Sequence, residues 1–463
     1  MKKIFRDPKF YLVTFFFFLF SLVSIIEHTH FRTYGDDLGI FDQAIWHYSL
    51  FQTPVSTVRG LSNILGDHFH PILILLAPMY WIFHTPVNLL VAQAFLLAIT
   101  IIPIYLIAKK ELGGTFYAVA FAIIYGIFWG IQETIGFDFH EIAFAVPLIA
   151  FSIYYIRENK PKIYIPLLVL LIFVKEDMTI LLCFFAFYLA TFKRYRQSIA
   201  IFLLGFSSFI VITKWVIPFF AGTRGFRYWH YTEFGNNIFS ASINILLKPI
   251  HFFKVLFSPL KKFITEFFTF LPFIFLPFLS TTFILAIPLL LERFLSTESA
   301  YWGFHGHYSA TVTPILVIST IDAIAFLEKK KILKFKKYIV LIILLINVGS
   351  IVVFPFNQIF SIQNYYLTKN LSTGYQALRL IPQNASVIAQ NPIVPHLSER
   401  NNIYILKPDM VYPSGIEYIL ASSNVGLWPY TSFSQIQKYL NSEQKDGYKM
   451  IFSEDGWYVL KRK

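Results

Sequence analysis

The feature that most constrains this chain is its series of long apolar runs, each closed by a short basic cluster. Residues 10–26, 87–108, 198–219, 308–327 and 338–355 carry almost no charge over stretches close to the ~30 Å of a bilayer core. The 463 residues are 56% hydrophobic, 19% aromatic and only 14% charged, with a mean hydropathy of +0.58. So few charges cannot cover that much apolar surface in water, so the chain reads as a polytopic membrane protein, all-α in its spanning part. The net charge of +13 invites a nucleic-acid reading. The lysines and arginines sit mostly between apolar runs, however, where membrane orientation requires them, and no nucleic-acid partner is expected. The one cysteine, Cys183, lies inside an apolar run, which excludes a disulfide framework or a cysteine metal site. No small-residue cleavage site follows the first apolar run, so no cleavable signal peptide is expected.

Charge parity sets the expected topology. Lys2, Lys3, Arg6 and Lys9 hold the N-terminus in the cytoplasm. Residues 27–83 then form the first outer loop, in which Leu38, Phe41, Ile45 and Tyr48 fall at helical spacing, as on a helix lying along the membrane surface. The apolar stretch 71–83 is too short to cross. If it did cross, the basic clusters at 109–110, 157–162, 193–196 and 329–337 would all face outward. Read as a dip, it leaves about eleven transmembrane helices, at 10–26, 87–108, 116–131, 142–156, 163–174, 178–192, 198–219, 263–278, 281–294, 308–327 and 338–355. Residues 1–356 make this transmembrane domain. Residues 357–463 are mixed and polar, with five short period-two stretches and one helical pattern, and predict a small extracytoplasmic α/β domain.

With that sidedness, the acids and imidazoles collect on the outer face. They are Asp36, Asp37 and Asp42; Asp67, His68 and His70; Asp138, His140 and Glu141; Lys175, Glu176 and Asp177; and Arg293, His305 and His307. Each has a plainer reading. Asp138 suits a helix cap, His68 and His70 suit interfacial anchors, and 175–177 suits a self-neutralised turn. Asp138 and His140, two apart in an extended loop, can reach one divalent ion such as Mg or Mn. A carboxylate at a membrane cavity can accept the proton of an acceptor hydroxyl, and cations beside it can hold a phosphate leaving group.

The stretches Asp37-Leu-Gly-Ile-Phe-Asp42, Gly66-Asp-His-Phe-His-Pro71, Phe137-Asp-Phe-His140, Lys175-Glu-Asp177, His307-Tyr-Ser309 and Pro395-His-Leu-Ser-Glu-Arg400 resemble the prokaryotic membrane-protein family called domain of unknown function two thousand and seventy-nine. The layout also resembles the GT-C superfamily of membrane glycosyltransferases, whose first outer loop carries an acidic residue and surface helices. His70-Pro-Ile-Leu73 is similar to the His-Pro-Pro-Leu stretch of protein O-mannosyltransferases, without its second proline. Asp138-Phe-His140 matches the Asp-x-His form of some oligosaccharyltransferases, but their Trp-Trp-Asp signature is missing. The resemblance implies an inverting transferase in the cell membrane that moves a sugar from a polyprenyl-phosphate donor to a glycan, lipid or protein acceptor. Asp37, or else Asp42, would be the base; Asp138 and His140 would hold a metal or the sugar. Lys175, Glu176, Asp177, Arg224, Arg227, Arg293, His305, His307, His68 and His70 would bind substrate. A lipid or small-molecule flippase and a scaffold using residues 357–463 are the rival readings.

Overall fold

The computed structural model describes residues 7–223 and 226–463. Lys2, Lys3, Arg6 and Arg224 lie outside them. The described chain is mostly helical and ends in a small sheet.

Among the described residues four helices are long and apolar enough to cross a membrane: Pro8–Thr29, Val87–Leu112, Tyr195–Ala221 and His307–Lys329. Two bent pairs raise the number to six if each counts as one span. One pair is Thr115–Ile127 with Trp129–Ile135, bent by 49°; the other is Ile238–Leu247 with Pro249–Phe257, bent by 106°. The second bend sits at Lys248, where the proline ring of the next residue disfavours helical backbone. Much of the rest of the expected eleven is in shorter pieces. Ala145–Arg157, Pro161–Leu171 and Met178–Thr191 have 13, 11 and 14 residues, and Lys336–Ser350 has 15. At 1.5 Å per residue these reach about 16–23 Å, short of a full bilayer core. The two expected crossings 263–278 and 281–294 become helix Leu260–Phe270, a series of short 3-10 turns and helix Ala286–Leu295. Pro71–Trp81 is an 11-residue 3-10 stretch with Pro78 inside it, packed on helix Ile40–Ser49.

Side-chain contacts define two ends of the helical region. At one, Lys110 meets Glu158 at 2.6 Å and Lys336 donates to the Leu112 carbonyl at 2.7 Å, joining three basic loops. Near them Arg157 grips Asp322 with two hydrogen bonds of 2.7 Å and also donates to Thr282 and Tyr188. At the other end Tyr34, Asp138, Gln93 and the C-terminal sheet meet.

That sheet holds β1 (Val387–Ala389), β2 (Ile403–Ile405), β3 (Tyr418–Ser422), β4 (Tyr448–Glu454) and β5 (Trp457–Arg462), in the order β2-β1-β3-β5-β4. The pairs β1–β2 and β1–β3 are parallel; β5 runs antiparallel to both β3 and β4. One face packs Ile419 and Leu460 against Ile436 and Leu440 of helix Phe433–Lys445. The other meets helix Lys369–Arg379 and the membrane helices through Trp457, which is fully buried.

Candidate active site

The site is assembled where the C-terminal domain presses on the first loop. Residues Gly35–Gly39 form a wide π-turn. A Cβ on Gly35 would stand 2.7 Å from the Val394 Cβ, so only glycine allows this approach. Asn391 fixes the turn by accepting from the Gly35 and Asp36 amides at 2.8 and 3.2 Å. Asp36 is spent on Lys407 at 3.0 Å and on the Asn391 amide group at 3.2 Å. Asp42 is also occupied: it is fully buried and accepts hydroxyls from Tyr80 at 2.5 Å and Ser398 at 2.6 Å. Burial pushes its carboxyl up to about 7. Asp42 therefore belongs to the seam between the first loop and the C-terminal domain, and the expectation of an alternative base there does not fit its surroundings. Asp37 is different. One oxygen lies 3.1 Å from His140 Nε2, its side chain is 29% exposed, and its other oxygen has no side-chain partner among the described residues.

His140 is positioned by the buried Gln93, which accepts from its backbone amide at 3.0 Å and donates to the Thr134 and Asp138 carbonyls. The His140 ring stacks on His307 at 3.5 Å and meets Phe41 edge-on. Burial alone would lower its basicity; Asp37 and then Glu141 outweigh it and lift the imidazole to about 9. Asp138 turns elsewhere, with both oxygens accepting from the Tyr34 amide at 3.1 Å. Burial, then the nearby Asp37, pushes its carboxyl well up. The two members of the expected metal pair thus serve different partners. Among the described residues no group of three His, Cys, Asp or Glu side chains is arranged to hold a metal ion.

A third cluster lies alongside. His68 Nδ1 meets Glu176 at 2.6 Å, the Phe69 amide donates to the same carboxylate, and the His68 ring stacks on Tyr228. His70 is buried beside the Phe41 ring. Lys175 Nζ stands 3.5 Å from Glu141 and 3.9 Å from Asp177. It lines two adjoining cavities. The larger, about 240 Å³, is walled by aromatic and aliphatic side chains including Phe184, Trp229 and Leu291. The smaller, about 80 Å³, shares Lys175, Asp177, Glu292 and Tyr301 with it and continues to His307 and Tyr308. His307 leads through the ring stack to His140 and so to Asp37.

The other expected anion holders differ in their surroundings. Arg293 is buried and committed to the Tyr301 carbonyl at 2.7 Å, the Ser309 hydroxyl at 2.6 Å and the Gly303 carbonyl. It braces the loop and also lines the smaller cavity beside Glu292 and His307. His305 is 96% exposed and pairs with Glu133. Arg227 is exposed. Arg224 falls outside the described residues.

A family description, predicted membrane protein (DUF2079), matches residues 28–459. The chain belongs to this family. No curated protein matches it. The matched segment contains every residue of the site, including several that the sequence reading passed over: Gln93, Glu292, Tyr301, Tyr308, Asn391 and Lys407. Glu292 carried a usable signal, as an acid at the end of an apolar run. Gln93 and Asn391 carried none, since their roles are set by backbone groups distant in sequence.

Proposed function

We propose that this family member is a membrane glycosyltransferase of the GT-C kind, moving a sugar from a polyprenyl-phosphate donor to an acceptor at the outer face of the cytoplasmic membrane. Eleven chain passes would put the basic loops inside and residues 357–463 outside, in keeping with the basic loops meeting at one end and the site lying at the other. The observation that carries the reading is Asp37: a half-open carboxylate, oriented by a single imidazole, at the end of a path to a largely apolar cavity.

In this mechanism the free Asp37 oxygen takes the acceptor hydroxyl's proton. The acceptor oxygen forms a bond to the anomeric carbon as the bond to the phosphate oxygen breaks on the opposite face, inverting the centre. The larger cavity takes the first isoprenes. Among the described residues Lys175 has no partner closer than 3.5 Å, which leaves its protons for the leaving phosphate. Glu141, Asp177 and Glu292 surround that one ammonium, which suits a monophosphate better than a more highly charged diphosphate.

Purified protein supplied with polyprenyl-phosphate sugars should yield a glycosylated product, and Asp37→Asn should abolish it while the protein still folds. Equal transfer by the variant removes Asp37 from the mechanism. One observation favours a second reading, a lipid or small-molecule transporter: the acid cluster Asp177 and Glu292 beside Lys175 at the cavity neck. Substrate flux in liposomes without covalent product would select it.

A further inference from the structure

A second cleft, of about 810 Å³, opens between the end of the first membrane helix and the C-terminal domain, and no step above uses it. Its lining is rich in amides: Asn357, Gln358, Gln363, Asn364, Asn370 and Asn424. Several are held by one half only. Arg32 donates to Gln358 Oε1 at 2.7 Å and to Asn364 Oδ1 at 3.2 Å. The Gln358 NH2 group turns to the buried Glu27 carboxylate, so the open amide groups of the lining are those of Asn370 and Asn424. Asn370 Oδ1 accepts from the Trp457 ring and from Asn424, both at 2.8 Å, leaving its own NH2 group open. Asn424 spends its NH2 group on Asn370 and the Asp455 carbonyl, leaving its Oδ1 open. His30 adds a buried Nε2 with no partner in the described residues, while its Nδ1 faces the Ile26 carbonyl. Phe360, 73% exposed, supplies a flat apolar face on the lining.

We infer that this cleft binds a neutral oligosaccharide. An apolar ligand would cover the open amide donors and acceptors without pairing them. Among the described lining residues an anion would find one permanent cation, Arg32, already shared by two amide oxygens and lying 3.6 Å from Glu27. Vicinal sugar hydroxyls, each both donor and acceptor, match pre-oriented amide groups of both kinds, and a sugar's CH face suits Phe360. The volume lies within the ~300–1,000 Å³ of ordinary ligand sites. At one end, Gly426 lies against the Tyr34 hydroxyl, and the Tyr34 amide holds Asp138. The cleft therefore reaches the carboxylate loop, and under the transferase reading its glycan is the acceptor, although binding does not depend on transfer.

Calorimetry on the full-length detergent-solubilised protein tests this. The probes are short neutral gluco- and manno-oligosaccharides, with an anionic oligogalacturonate and an uncharged extended peptide as comparators. The neutral sugars should bind, and Gln363→Ala and Phe360→Ala, both at exposed positions, should each weaken binding roughly fivefold or more with an unchanged gel-filtration profile. Absence of saccharide binding, equal binding by both variants, or preference for the peptide or the anion would overturn the inference. Because the readout is binding, a failure of sugar transfer in the separate assay leaves it standing.

Discussion

Two ion pairs at opposite ends of the helical region look alike on paper and differ in every physical respect. Arg157 and Asp322 meet through two 2.7 Å hydrogen bonds, and the remaining capacity of the pair is taken by Tyr188, Ser280 and Thr282. Asp37 and His140 meet at one 3.1 Å contact, and the carboxylate keeps an open oxygen. The first pair is saturated and pins three segments together. The second is unsaturated, and its open valence is available for chemistry. Saturation, more than charge or burial, is what separates the two pairs.

The comparison can be broken from the saturated side, where the effect should be largest. Arg157→Ala leaves Asp322 nearly enclosed and uncompensated, at a cost of ~3–5 kcal/mol. It should appear as a sharp loss of expression and of melting temperature in detergent; a normal melt would show that the pair is not a pin. Asp37→Asn should act chiefly on activity, lowering transfer by roughly 10²- to 10⁴-fold, with a smaller melting loss than Arg157→Ala and one confined to pH values below about 9. A third effect is on pH dependence. The His140 imidazole titrates at about 9, above its usual 6.5, so the pair's contribution is full below about 6.5 and is lost as the pH climbs through 9. His140→Gln should flatten that part of the stability–pH curve, measured by thermal melts from pH 6 to 10; an unchanged curve would detach His140 from Asp37. The smallest effect belongs to Asp42. Its buried carboxyl prefers a proton up to about 7, so its contribution to stability falls as the pH rises from about 3.8 to about 7 and is level above that. Asp42→Asn should stay within about 1 kcal/mol of wild type and compare better at pH 8 than at pH 5. The opposite order would mean that the charge itself is needed.

Much of this arrangement was legible in the sequence, and the limits have physical causes. The convergence of Asp37, His140, Lys175 and His307 at one end was expected from the sidedness that scattered lysines and arginines imply. The five strands were visible as short β-branched and aromatic stretches between polar turns, although the sheet is covered on both faces and only β4 keeps a clear alternation of burial. The helix lengths were not: apolar composition counts residues but does not record where prolines and extended residues break a run, as at Phe128 and after Phe270. The competition among Asp36, Asp37 and Asp42 was equally hidden. Three acids in seven residues are equivalent on paper, and only Lys407, Asn391, Tyr80 and Ser398, all distant in sequence, decide which two are spent.

The most direct test of the account is sidedness. In a Cys183→Ser background, single cysteines would be placed at Asp37, at Gln363 and at Lys160, and intact cells treated with a membrane-impermeant thiol reagent. The account predicts labelling at 37 and 363 without permeabilisation and at 160 only after it. Labelling of 37 and 160 from the same side would separate the carboxylate from the outer face and contradict the proposed site.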